Sequence, residues 1–277
     1  MNKLILGTRG SDLALVQTRD VAARLGRAHP GLALEERIIK TTGDKRLDVS
    51  LSTPGPLEKG LFTKELEEAL LDGSVHTAVH SLKDLPTEQP PGLVVGAILE
   101  RADISDALAS KHEGGWKGLP PEATVATSSL RRKNQLLLLR PDLQIVEIRG
   151  NVPTRLRKVL EDPSLDALVV ASAALARLGK DTVPNGLQVT VIGEMLPAPG
   201  QGAVAVECRE ADSETRNLLA AIHHRPTALC VSAEREILRS LGGGCHMPLG
   251  ARAVIENGKL RLLAALFEVD GIRWLSR

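Results

Sequence analysis

The sequence predicts an α/β protein of more than one domain, and three observations carry that reading. Strand-like and helix-like segments alternate from residue 3 to residue 179. An apolar run, AVAVEC at 203–208, stands apart and reads as a strand returning to an earlier sheet. Near residue 213 the character changes: two helical stretches are followed by a hairpin. At 277 residues the chain has room for two or three cores.

The elements follow in order. KLIL (3–6) is a strand, broken by GTRGSD, and a helix pattern runs from Asp12 to Leu25 with Gly26 as its stop. LALEERII (32–39) is a second strand, followed by a polar stretch over 40–60 with Gly and Pro at turn positions. LFTKELEEALLDG (61–73) reads as a helix capped by Thr63, closed by Gly73 and striped with Phe62, Leu66, Ala69 and Leu70. TAVH (77–80) and VVGAIL (94–99) are strands, and SLKDLP (81–86) leaves the first of them as a loop.

The alternation then repeats. ATVAT (123–127), QIVEI (144–148) and DALVVAS (166–172) are strands. SSLRRKNQLLLL begins a helix with Ser128 or Ser129 as cap, Pro153 opens the next helix, and AALARLG stops at Gly179. LPAPGQG (196–202) is a crossover. SETRNLLAAIHH (213–224) and SAEREILRSL (232–241) are helical, and ARAVIE, Asn257-Gly258 and KLRLLAALFEV form a hairpin. A small three-strand domain with helices on one face fits this tail, and its third strand ends early.

Composition narrows the function. Lys plus Arg number 35 against 34 Asp plus Glu, which argues against a nucleic-acid or anionic-membrane partner. Two Phe, two Trp and no Tyr leave little for a base-stacking platform. No run of 18 apolar residues spans a membrane, the first residues lack a secretion h-region, and three cysteines make no disulfide framework. A reduced, cytoplasmic protein is the expectation.

The basic residues are placed at strand ends and helix starts: Arg9, Lys83 beside Asp84, Arg131 and Arg132, Arg149, then Arg155 and Arg157. Helix starts favour anions and guanidinium forks match carboxylates, so a cleft for several carboxylates or phosphates is one reading. A surface helix that merely carries Arg131 and Arg132, or an ordinary Lys83–Asp84 loop pair, is the other. His76 and His80 share a strand face but lack a third ligand nearby, so no metal is expected. LGGGCHMPLG (241–250) sets Cys245 among glycines, which by itself allows a metal ligand, a nucleophile, an attachment point or a buried thiol.

Seven segments, in order, then make the chain recognisable: GTRGSDLALVQ, LFTKELEEALLDG, AVHSLKDLP, TSSLRR, RGNVPTRL, PGQGAVAVECR and LGGGCHMPLGA. Together they resemble the hydroxymethylbilane synthase, or porphobilinogen deaminase, family over residues 3 to about 270. The resemblance implies three domains: two lobes like those of periplasmic binding proteins, with mixed sheets and the active cleft between them, and a small α+β domain with a three-stranded antiparallel sheet. On this chain they would be 1–99 completed by 200–216, then 100–199, then 217–277. It implies a transferase that joins four porphobilinogen molecules head to tail, releases four ammonia and frees the linear tetrapyrrole by hydrolysis. A dipyrromethane cofactor, held through a thioether to Cys245, would prime the growing oligopyrrole.

The resemblance also assigns residues. Asp84 matches the catalytic carboxylate, placed to stabilise positive charge on ring nitrogens when an azafulvene formed by ammonia loss is attacked. Lys83 acts beside it, and Lys59 matches a loop lysine at the cleft mouth. Arg131, Arg132, Arg149, Arg155, Ser128, Ser129, Thr127 and Asn151 match cofactor contacts, as do Lys83 and Asp84. Arg9, Ser11 and Gln201, again with Arg149 and Arg155, match substrate contacts. A monomer without nucleic-acid or membrane partners is implied. His76 and Ala102 stand where the family usually has acids, and the chain ends before the family's terminal helix, so a shortened third domain is expected. An acidic-solute binding protein and an inactive truncated member are the competing readings.

Overall fold

The structure, a computed structural model, describes residues 1–45, 62–243, 247–268 and 274–276. Lys59 and Cys245, two of the expected site residues, lie outside the described residues. The elements in chain order begin with β1 (Lys3–Thr8), α1 (Asp12–Ala28), β2 (Ala33–Ile38), α2 (Thr42–Lys45), α3 (Lys64–Leu71), β3 (Thr77–Ser81) and β4 (Leu93–Ile98). Next come β5 (Asp106–Ser110), β6 (Thr124–Ala126), α4 (Leu130–Leu139), β7 (Gln144–Val146), α5 (Val152–Glu161), β8 (Ala167–Ala171), α6 (Ser172–Leu178) and β9 (Gln188–Ile192). The chain closes with β10 (Val204–Arg209), α7 (Ser213–Ala220), α8 (Arg225–Ser240), β11 (Leu249–Glu256), β12 (Lys259–Phe267) and β13 (Trp274–Ser276). The α/β class expected from the alternation is what the chain adopts.

Contacts divide the described residues into two units, one of 1–45, 62–102 and 203–243, the other of 103–202, 247–268 and 274–276. α7 and α8 therefore group with the first unit and the three-stranded sheet with the second.

The first unit is built on a sheet of order β2-β1-β3-β10-β4. β1 is parallel to β2 and β3, while β10 runs antiparallel to both its neighbours. The returning strand expected at 203–208 is thus inserted between β3 and β4. One sheet face packs Leu4, Leu6, Val79 and Val206 on Val21 and Leu25 of α1 and Leu219 of α7. The other face takes Leu66 and Leu70 of α3 onto Ala78, and Val231 of α8 onto Ala203 and Ala205. Fully burying a Leu side chain stabilises by about 1.5–3 kcal/mol, so these faces account for the cohesion of the unit without aromatic residues.

The second unit repeats the plan with order β7-β6-β8-β5-β9. β6 is parallel to β7 and β8, and β5 is antiparallel to β8 and β9. Leu136 of α4 packs on Leu108, Val125 and Val169 from one side; Leu156 and Val159 of α5 pack on Ala126, Leu168 and Val170 from the other. β11 and β12 pair through Glu256↔Lys259, and their turn puts Asn257 at φ 52 and Gly258 at φ 73, the geometry the Asn-Gly pair favours.

Some local expectations differ from the structure. α1 passes through Gly26 and stops at His29, because the residue before Pro30 is driven out of helical geometry. Thr63 sits at the start of α3 with helical φ/ψ and makes no side-chain cap bond. α8 starts at Arg225, seven residues before the helical stretch read from the sequence, with His224 accepting from the Thr227 N–H. β5 and β9 were absent from the sequence reading altogether.

Candidate functional site

The expected site residues fall in both units, and each set is built by its own sheet. In the first unit, β1 and β3 are parallel neighbours, so the segments that leave them exit at the same sheet end. There a recess is lined by Arg9, Ser11, Gln17, Phe62, Thr63, His80, Ser81 and Asp84, with Leu13, Ala14 and Val79 completing the wall. Ser11 is the N-cap of α1, its Oγ accepting from the Ala14 N–H at 3.4 Å. Gln17 Nε2 donates to Ser81 Oγ at 2.9 Å, tying α1 to the end of β3. The Arg9 guanidinium lies 4.1 Å from the Phe62 ring centroid, a cation–π contact that steadies it at the rim.

Asp84 ends a one-turn 3-10 helix, Leu82–Asp84, and its side chain is exposed in the recess. Lys83 is half-buried on the same turn. The turn is clamped from α8: Arg235 Nη1 donates to Leu82 O (3.1 Å) and Leu85 O (2.8 Å), and Nη2 to Pro86 O (2.6 Å). The Leu82 N–H adds a bond to Ala203 O at 3.0 Å. Arg235 is a site residue that sequence reasoning missed, since in SAEREILRSL it looks like any helix-surface arginine.

In the second unit the expected polar residues first hold one another. Ser129 caps α4 by accepting from the Arg132 N–H at 3.4 Å, and Thr127 Oγ1 accepts from the Ser129 N–H at 3.2 Å. Ser128 Oγ donates to Ile148 O at 2.7 Å, joining the segment after β6 to the one after β7. Gly150 adopts φ +115, a conformation side chains resist, and so turns the chain into α5. Asn151 caps that helix through the Thr154 N–H, and Arg155 Nε donates to Gly150 O at 2.6 Å.

Arg131 and Arg132 are buried, not displayed on a surface helix. Arg131 Nη1 lies 2.6 Å from Asp106 Oδ2; Arg132 Nε and Nη2 lie 3.0 and 2.7 Å from Asp106 Oδ1. Burial alone would push the Asp106 carboxyl up, but the two guanidinium groups outweigh it and hold it well below the usual carboxylate range. Two buried cations thus share one anion, a local surplus of positive charge. Arg149 Nη2 is also buried, with no hydrogen-bond partner among the described residues. Gln201, expected on the substrate, is fully buried, and its Nε2 donates to Ile104 O (2.7 Å) and Asp106 Oδ1 (3.0 Å). The structure therefore sets it to hold the β5 segment.

Among the described residues no group of three or more His, Cys, Asp or Glu is placed to hold a metal ion. His76 Nδ1 instead accepts from the Ile5 N–H at 2.9 Å. Cys208 and Cys230 are buried; burial pushes the Cys208 thiol up to about 11 and the Cys230 thiol up as well, so neither offers a ready thiolate. No helix among the described residues is long and apolar enough to cross a membrane.

Comparison with known proteins gives concordant matches. Residues 4–217 match the family model "Porphobilinogen deaminase, dipyromethane cofactor binding domain", and residues 228–276 match "Porphobilinogen deaminase, C-terminal domain". The chain is 46% identical over 274 residues to the porphobilinogen deaminase of Chloroherpeton thalassium, covering 99% of this chain and 86% of that one. It is 47% identical over 272 residues to that of Syntrophomonas wolfei, covering 98% and 87%. Among solved structures it is similar to the BvgS periplasmic VFT2 domain of Bordetella pertussis at a TM-score of 0.46, 14% identity and 86% and 92% coverage.

Proposed function

The chain belongs to the porphobilinogen deaminase family, and on that premise we propose how its own residues carry the reaction. The activity is that of a hydroxymethylbilane synthase: four porphobilinogen molecules are condensed head to tail, four ammonia are released, and the linear tetrapyrrole leaves by hydrolysis. The protein carries the family's dipyrromethane-binding domain. When bound, that group supplies the pyrrole primer to which each new ring is joined.

The residues present fit such a group. Its carboxylates need cations that are already ordered and poorly hydrated, and the surplus at Arg131, Arg132 and Asp106, with the unpartnered Nη2 of Arg149, meets that need. This surplus is the observation that carries the proposal. Arg155, Asn151, Ser128, Ser129 and Thr127 would complete the cofactor contacts from the α4 and α5 starts, where orphan N–H groups also favour anions. Cys245 would hold the cofactor through a thioether. The other two thiols are buried and held protonated, which leaves them poor rivals for that bond.

In the first unit Asp84 is the catalytic carboxylate. It accepts a hydrogen bond from a pyrrole N–H, stabilises the positive charge that develops there, and takes part in moving the protons that ammonia release and ring coupling require. Lys83 and Arg9 hold substrate carboxylates at the recess, Ser11 adds a hydroxyl, and Lys59 acts at its mouth. Gln201 is better supported as a brace for Asp106 than as a substrate contact. A three-domain, cytoplasmic monomer that binds neither nucleic acid nor membrane completes the proposal. An acidic-solute binding protein is not favoured, because the matched relatives are porphobilinogen deaminases.

Intact-mass measurement on protein made in cells tests this. An addition of about 420 Da is expected for two substrate-derived pyrroles after loss of both ammonias. Cys245→Ser should abolish it, while Cys208→Ser and Cys230→Ser should keep it. Asp84→Asn should keep the added mass and lose about 10²–10⁴ in kcat. Bare polypeptide mass in the unaltered protein after incubation with porphobilinogen would overturn the cofactor assignment. Near-normal turnover of Asp84→Asn would remove Asp84 from catalysis.

A further inference from the structure

His76 stands just before the β1–β3 ladder, whose paired residues begin at Leu6↔Thr77. One step earlier the His76 N–H donates to Ile5 O at 2.9 Å, and the Ile5 N–H donates back to Nδ1 of the His76 ring at 2.9 Å. A side chain therefore fills the place of a strand carbonyl. The two carbonyls just upstream are engaged elsewhere: Ser74 O accepts from Arg37 Nη1 at 2.5 Å, and Val75 O from Arg209 Nη1 at 2.9 Å. β1 is an inner strand, flanked by β2 and β3, so the Ile5 N–H needs a partner inside the fold.

A ring nitrogen accepts only while it carries no proton, so this bond fixes His76 as the neutral tautomer protonated on Nε2. Adding a proton would set two N–H groups against each other across 2.9 Å. The surroundings oppose that proton too. Lys3 of β1, Arg37 of β2 and Arg209 of β10 bring positive charge, and Asp212, just after β10, brings the opposing negative one. Glu35 of β2 is tied to Lys3 and Arg37, Asp212 to Arg209, and Asp72, after α3, to the Ser74 N–H. The half-buried ring is held below its ordinary 6.5, first by burial and then by Arg209, over the pull of Asp212.

We infer that His76 is an acid-sensitive rung of the first sheet: as a neutral imidazole it joins β1 to β3, and proton uptake breaks that join. The exits of these two strands carry Arg9, Ser11 and Asp84, so the rung bears on the recess through the sheet. It does so whatever the role of Asp84. The folded chain takes up this proton less readily than the unfolded one. The stability that His76 contributes is therefore fully present above about pH 7, and is lost as pH falls below 6.5 and through the lowered value. Asp72, Asp212 and Glu35 are all held below their ordinary values, so they stay ionised through this window.

The test uses the full, cofactor-loaded protein. Nitrogen-15 NMR of the histidine rings should show His76 with a bare Nδ1 when neutral and a titration midpoint below 6.5. His76→Asn supplies the comparison, since its amide oxygen can stand near the place of Nδ1 and does not titrate in this range. Between about pH 7.5 and about pH 5.5 the thermal-unfolding midpoint of the unaltered protein should fall by about 2–4 °C more than that of His76→Asn. Over the same range the hydrogen-exchange protection of the Ile5 amide should fall in the unaltered protein and hold in the variant. A His76 ring that carries its neutral-form proton on Nδ1, or that titrates at or above 6.5, overturns the inference, and that reading needs no variant to fold. Equal falls in the two midpoints overturn it as well, as does Ile5 protection that stays level with pH in the unaltered protein.

Discussion

In each unit three parallel strands are followed by an antiparallel one, β10 in the first sheet and β5 in the second. Each of those two strands buries one carboxylate completely, Glu207 and Asp106. The sheets agree to that point and then part. Asp106 meets two guanidinium groups, which stay charged at any ordinary pH, and they hold its carboxyl far down. Glu207 meets one imidazole, His80, whose Nε2 lies 3.2 Å from its Oε2. The corresponding strand therefore supports a two-arginine charge cluster in one unit and a single histidine contact in the other. The first suits holding permanent anions.

Asp106→Asn should break this contrast most forcefully. It would leave two buried cations without their anion, and the expected loss is about 3–5 kcal/mol, read from chemical denaturation. Near-normal stability would mean that Arg131 and Arg132 do not depend on Asp106. The pH dependence of that loss sharpens the point. The Asp106 carboxyl is lower in the folded chain than its ordinary 3.8, so its contribution is fully present above that value and fades as pH falls below it. The stability gap between the unaltered protein and Asp106→Asn should therefore stay level from about pH 8 to about pH 5 and narrow below about pH 4. A gap that changed through neutral pH would mean that a group other than the Asp106 carboxyl sets the stability of this cluster.

A smaller effect is expected at Arg235→Lys, which replaces a fork on three carbonyls with a single ammonium. The Asp84 turn should loosen, with roughly a tenfold fall in kcat and little loss of cofactor mass. Unchanged kcat would show that the turn holds without its clamp. Phe62→Leu should be the mildest change, removing the ring under Arg9 for about 0.5–1 kcal/mol in thermal denaturation. A larger loss would mean that the ring does more than support Arg9.

Much of the fold was legible locally. The alternation, the Ser129 cap, the Asn257-Gly258 turn and the return of β10 each rest on a few neighbouring residues whose backbone preferences agree. β5 and β9 were not legible because five-residue strands among turn residues carry no period of their own, and they exist through pairing with β8 and with each other. At the site, motif resemblance brought out Arg131, Arg132 and Asp84, but not what holds them. Gln201 was read as a ligand contact because nothing local shows that its amide is turned inward.

The sequence by itself determined the class of fold, the order of most elements and the residues on which the family's chemistry depends. It did so because helix periods, caps, turns and the seven quoted segments are short-range patterns. Only the tertiary structure decided which acid meets which base. Asp106 stands 25 residues from Arg131, Arg235 stands 150 from Leu85, and His80 meets Glu207 only because β10 enters beside β3 in one register. A shift of that register by one residue would turn Glu207 to the opposite face, and no local pattern in the chain records which register wins.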